Sequence, residues 1–109
     1  MKGNLRKGET PMKPNAWTIE ELQHLVDTYF SMLEKEQAGL PYSKAEYNRY
    51  LQTKIERSRG SIEMKWMNVS AVLSERGMVY VKGYKPYPNY QKILQDVVLT
   101  KINGVKAVA

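Results

Sequence analysis

From Trp17 onward the chain reads as a succession of apolar stripes at helical spacing, separated by short polar turns. Leu22, Leu25, Val26, Tyr29, Phe30 and Leu33 recur with the period of one buried helix face, while Glu20, Glu21 and Asp27 fall mostly off it. Thr18 followed by Glu21 makes a capping box: the hydroxyl accepts from a free amide of the first turn and the carboxylate reaches back to the cap's own amide. The first helix is therefore placed to begin after Thr18, and Gly39 and Pro41 end it. Ser43 with Glu46 repeats the box and opens a shorter helix over 44–55, with Tyr47, Tyr50, Leu51 and Ile55 as its buried face. Ser58 caps a third helix whose stripe is Ile62, Trp66, Val69, Val72 and Leu73, closed by Gly77.

The pattern then changes. Met78-Val79-Tyr80-Val81 is a short β-prone run, and the tyrosines and prolines from Tyr80 to Tyr90 exclude a helix there. This segment is expected to be an ordered loop that lays its rings on the core, with Asn89 capping a fourth helix that carries Ile93, Leu94, Val97, Val98 and Ile102. Residues 1–15, with Gly3, Gly8, Pro11 and Pro14 between basic residues, read as a flexible basic arm, and 103–109 as a frayed tail. The expected fold is a single mainly α domain over 16–102. It has a three-helix, helix-turn-helix-like core plus a Tyr/Pro-rich ordered loop and a C-terminal fourth helix.

Composition narrows the chemistry. A chain of 109 residues that is 42% hydrophobic supports one modest core. No apolar run approaches the roughly 20 residues that span a bilayer, and no signal-peptide core follows the basic N-terminus, so a soluble, cytoplasmic protein without a membrane partner is expected. With no cysteine and only His24, neither thiolate chemistry nor the usual zinc clusters can be assembled, and no metal or cofactor is expected. His24, with Glu20 and Asp27 near it on the first helix, reads as a solvent-facing histidine in an acidic helix. No nucleophile, acid-base pair or phosphate-binding glycine loop is legible, and the chain is not expected to be an enzyme.

The net charge of +6 is unevenly spread. The arm holds Lys2, Arg6, Lys7 and Lys13 against Glu9, whereas the first helix holds Glu20, Glu21, Asp27, Glu34 and Glu36 against Lys35. The basic surplus thus lies in the two ends and the second helix, a polarity that attracts polyanions to one side. With the third helix's stripe turned inward, Arg59, Glu63, Lys65 and Asn68 are left to its outer surface or edges. Arginine pairs with a guanine edge, asparagine with adenine, and both basic side chains neutralise phosphate. Arg49, Lys54 and Arg57, on or after the second helix, extend the set. Trp17 and Trp66 are assigned to packing. The expected partner is nucleic acid, duplex DNA first, contacted by Arg49, Lys54, Arg57, Arg59, Lys65 and Asn68. Tyrosines 80 to 90 interleaved with Lys82, Lys85 and Lys92 form a pattern able to stack unpaired bases, though rings lying on the core are the simpler reading. The acidic first helix together with Met64 and Met67 supports the alternative of a protein-docking domain.

Two resemblances bear on this. Trp17-Thr18-Ile19-Glu20-Glu21 opening the first helix, and Ser58 to Leu73 around Trp66, resemble a divergent Myb or SANT helix-turn-helix domain, with Tyr47 or Tyr50 in the slot of the middle tryptophan. The second resemblance rests on Glu46-Tyr47-Asn48-Arg49, the run from Arg57 to Glu63, Asn68-Val69-Ser70-Ala71-Val72-Leu73, Gly83-Tyr84-Lys85-Pro86 and Asn89-Tyr90-Gln91. These residues resemble an N-terminal module of bacterial multidomain proteins, where it precedes HNH-type nuclease domains or a C-terminal domain associated with restriction and defence. The resemblance implies a targeting or DNA-sensing role beside a nuclease domain or subunit. It does not make this chain a nuclease, because the HNH metal site cannot be built from one histidine in a helical stripe.

Overall fold

The computed structural model describes residues 16–108, and the side chains of 16–104; the arm expected over 1–15 lies outside them. Four helices follow one another: α1 (Ile19–Gln37), α2 (Lys44–Gln52), α3 (Arg59–Glu75) and α4 (Lys92–Val108), with no strand among the described residues. The first three begin where a side-chain oxygen takes up a free amide. At α1 the box is complete: Thr18 Oγ1 accepts from the Glu21 amide at 3.1 Å, and Glu21 Oε1 accepts from the Thr18 amide at 2.9 Å. At α2 only the hydroxyl half of the expected box forms among the described residues, Ser43 Oγ accepting from the Glu46 amide at 3.2 Å. Ser58 Oγ does the same for Ser61 at 3.1 Å.

Helices α1 and α3 end alike, because Gly39 and Gly77 adopt the left-handed conformation, with φ of 71° and 68°. That turn lets the Leu40 amide donate to Lys35 O at 2.9 Å, and the Met78 amide to Leu73 O at 3.0 Å, which satisfies carbonyls the helix itself leaves open.

The core forms where α1 packs against all three other helices and α3 against α2 and α4. Trp66 lies at its centre, fully buried, with its indole N–H donating to Leu25 O at 3.1 Å. Around it α3 is buried on every side from Asn68 to Leu73, far more than one stripe. The cause is the segment between α3 and α4, which closes over the side of α3 that α1 leaves open. Tyr84 lies against Trp66 with ring centroids 5.4 Å apart, and the Tyr87 amide donates to Met67 O at 3.0 Å.

Two local expectations, the end of α2 and the cap of α4, are corrected. The run 78–81 forms no strand, since it has no neighbour to pair with; the Val81 amide donates instead to Tyr29 Oη at 2.8 Å, and that hydroxyl also meets Ser70 Oγ at 2.7 Å. Helix α2 stops at Gln52, where Thr53 Oγ1 donates to Tyr50 O, three residues short of Ile55. Asn89 does not cap α4: the amides of Leu94 and Gln95 donate to Gln91 O, while the Asn89 carbonyl accepts from Asn68 Nδ2. At its far end α4 is assigned through Val108.

Burial pushes the Tyr29 and Tyr84 phenols up to about 12 from an ordinary 10.0. Between those values the unfolded chain ionises and the folded one does not, so the stability they contribute is complete below pH 10 and is lost as pH rises toward 12. Urea unfolding should show stability falling above about pH 10, by at most about 1.4 kcal/mol per pH unit for each phenol. Tyr84→Phe should reduce the slope, and a flat profile through that range would contradict the assignment.

Candidate functional site

The six side chains expected to contact nucleic acid do not share one surface. Arg57 is committed to the fold. Its Nη2 lies 2.9 Å from Glu21 Oε1, its Nε donates to Glu21 Oε2 at 3.1 Å, and Nη2 also donates to Ala16 O at 2.9 Å. The two side chains are only 9% and 6% exposed, and the guanidinium lies 4.8 Å from the centroid of the Trp17 ring. One carboxylate therefore closes the α1 cap and clamps the end of the α2–α3 turn. A two-pronged pair of this kind, withdrawn from water, is held by the fold and is poorly placed to leave it for a phosphate.

Lys65 is drawn into the same cluster, with Nζ 5.8 Å from the Trp17 ring centroid. Burial, and then the neighbouring Arg57 charge, hold its ammonium below its usual pKa. Asn68, expected on the outer face of α3, is 2% exposed and turned inward; its Nδ2 donates to Tyr87 O at 2.7 Å. The physical reason is the segment following α3: its backbone carbonyls are covered by α3 and need a donor, which Asn68 supplies. The adenine-reading role expected of Asn68 is thus corrected to a structural one.

Arg49, Lys54 and Arg59 remain exposed. Arg59, in the first turn of α3, makes an exposed pair with Glu63 at 3.3 Å, an arrangement worth little in water. Its carbonyl accepts from Asn48 Nδ2 at 3.3 Å, and Asn48 Oδ1 accepts from Gln52 Nε2 at 2.7 Å, so the start of α3 is tied across α2. Lys54 Nζ lies 5.4 Å over the ring of Tyr50. Tyr50 itself, expected in the core, is 55% exposed. The spacing holds the reason: Tyr47, Leu51 and Ile55 form a strict i, i+4 row, Asn48 fills the face beside it, and Tyr50 lies about a hundred degrees from Leu51. A strict count of that row is the signal that would have found it.

Two grooves border this region. One, of about 860 Å³, runs between the start of α1 and the α2–α3 turn and is lined by Glu20, Glu21, His24, Asp27, Lys54 and Glu56 among others. No group of three or more acidic, histidine or cysteine side chains able to hold a metal ion occurs among the described residues. The other groove, of about 570 Å³, lies between α1 and α4 with Ile19, Val26, Ile93 and Val97 along it. None of the four helices is long and apolar enough to cross a membrane. No family model, curated protein or solved structure matches the chain.

Removing the Glu21 charge leaves a buried cation facing a neutral partner. Glu21→Gln is expected to destabilise the fold by about 3 kcal/mol or more in urea unfolding, with Glu21→Gln/Arg57→Met less damaging than the single change. Equal stability of Glu21→Gln and the parent would show that the pair is not a clamp.

Proposed function

We propose that the chain is a nucleic-acid-binding module, DNA being the first candidate, with no catalytic activity of its own. The observation that carries this reading is that Arg49, Lys54 and Arg59, in α2, the turn after it and the start of α3, stay in water, whereas the fold uses Arg57 and Asn68 internally and leaves Lys65 half-buried. The arrangement of α1 to α3 is read as helix-turn-helix-like, with α2 and the first turn of α3, rather than the length of α3, offered to the ligand. The closing segment supports that restriction, because it covers the later turns of α3. The Tyr/Pro-rich segment is then an ordered structural element, and the tyrosine within it nearest the core, Tyr84, is not a stacking platform. The resemblance to modules beside nuclease or restriction-associated domains supplies the setting, a cytoplasmic targeting role for a neighbouring catalytic domain or subunit.

A protein-docking role is the second reading, and the apolar groove between α1 and α4 favours it: Ile19 and Ile93 are 52% and 38% exposed on its walls. Fluorescence anisotropy with a labelled duplex and a labelled single strand separates the two. Nucleic-acid binding should weaken steeply with salt, with a log-log slope of about −0.9 per phosphate neutralised. Replacing Arg49, Lys54 and Arg59 together by alanine should weaken it about tenfold or more, at roughly 1 kcal/mol per lost phosphate contact. Absence of binding at low salt, together with self-association abolished by Ile93→Asp, would favour docking instead.

A further inference from the structure

Tyr50 is the most solvent-exposed aromatic side chain among the described residues, at 55%, and it lies in the region where the exposed cations are. Five of the other tyrosines have structural partners: Tyr29 bonds Ser70 and Val81, Tyr42 bonds Glu36 and meets the Tyr47 ring edge-on, Tyr84 lies on Trp66, and Tyr90 bonds Glu75, whereas Tyr80 and Tyr87 are exposed to a lesser degree, at 38% and 42%. Tyr50 pairs with no other ring among the described residues, and its one ring contact there is the ammonium of Lys54, 5.4 Å from the centroid. Arg49 is its neighbour on α2 and is likewise in water.

We propose that Tyr50 is a stacking platform for an unpaired nucleobase, and that the ligand of this face is accordingly a single strand, or a duplex with an unpaired base, rather than a fully paired duplex. The proposal rests on the nucleic-acid reading above and names the form of nucleic acid it requires. A flat, exposed ring flanked by cations offers the two things a single strand presents together, a base face for stacking and a phosphate for charge neutralisation. A paired duplex buries its base faces and offers Tyr50 only a backbone, against which an aromatic ring has little to gain. Lys54 Nζ lies over one face of the ring, 5.4 Å from the centroid, so a base stacking on that face displaces it, and the displaced ammonium is near enough to meet that nucleotide's phosphate. The acids that line the neighbouring groove with Lys54, among them Glu20 and Asp27 of α1 and Glu56 of the α2–α3 turn, repel a phosphate backbone and disfavour that groove as its path.

The test is anisotropy titration of the full chain and of Tyr50→Ala and Tyr50→Trp with three labelled probes of equal length: a thymine homopolymer strand, a blunt duplex, and the same duplex carrying one bulged nucleotide. The parent should bind the strand and the bulged duplex more tightly than the blunt duplex. Tyr50→Ala should lose about tenfold on the strand and the bulged duplex and little on the blunt duplex, and Tyr50→Trp should keep or exceed the parent's affinity. Thermal unfolding of both variants by circular dichroism should match the parent, since the ring is outside the core. Equal losses on all three probes, or none, would overturn the stacking assignment while leaving nucleic-acid binding intact. Failure of the parent to bind any probe at low salt would overturn both. Salt-insensitive self-association removed by Tyr50→Ala would assign the ring to a protein contact and overturn the proposal.

Discussion

One carboxylate, Glu21, sets the geometry on which the rest of the molecule depends. It accepts from the Thr18 amide to start α1, and with its two oxygens it holds Arg57 at the end of the α2–α3 turn. Arg57 in turn holds the Ala16 carbonyl and covers the Trp17 ring. The beginning of the first helix and the entry to the third are thereby fixed to one another across 36 residues of chain. Removing two ions from water is expensive, and such a pair stabilises the fold only where the geometry is as good as the two-pronged contact made here. The pair also ties the start of α1 to the turn from which α3 leaves to carry Trp66 into the centre.

The same economy decides what is left for function. A basic chain of this size has many cations, but their positions in the fold differ in kind. Arg57 and Lys65 are gathered around Trp17, where burial and the neighbouring Arg57 charge hold the Lys65 ammonium below its usual pKa. Lys44, Lys92 and Lys101 have carboxylates within ion-pair distance at Glu36, Asp96 and Asp27. Against this background the exposed cations at the junction of α2 and α3 stand beside an exposed aromatic ring, and the functional reading rests on that local combination rather than on net charge.

Much of the helical framework was legible because it rests on local chemistry. Thr18, Ser43 and Ser58 each take up an amide three residues on, and the stripes of α1 and α3 go inward as their spacing requires. The less legible parts were set by partners distant in sequence. Nothing near Asn68 reveals that a segment about twenty residues later will bring carbonyls to its amide, so it looked like a surface reader. Arg57 looked like a free cation because its partner is on another helix. The β-prone run at 78–81 lacked a neighbouring strand, and one tyrosine hydroxyl took the place of that partner. Tyr50 differs from these, since its exposure follows from α2's own spacing once Leu51 is taken as the centre of the buried face.

The central claim is that the basic residues of this fold divide into a structural set and a ligand-facing set. Backbone amide shifts of isotopically labelled protein, followed as a thymine homopolymer strand is added, test it most directly. The account requires the perturbed amides to gather at Arg49, Tyr50, Lys54 and Arg59, with those of Arg57, Lys65 and Asn68 moving little. Perturbations centred on the later turns of α3, or along Ile19 and Ile93 between α1 and α4, would contradict it.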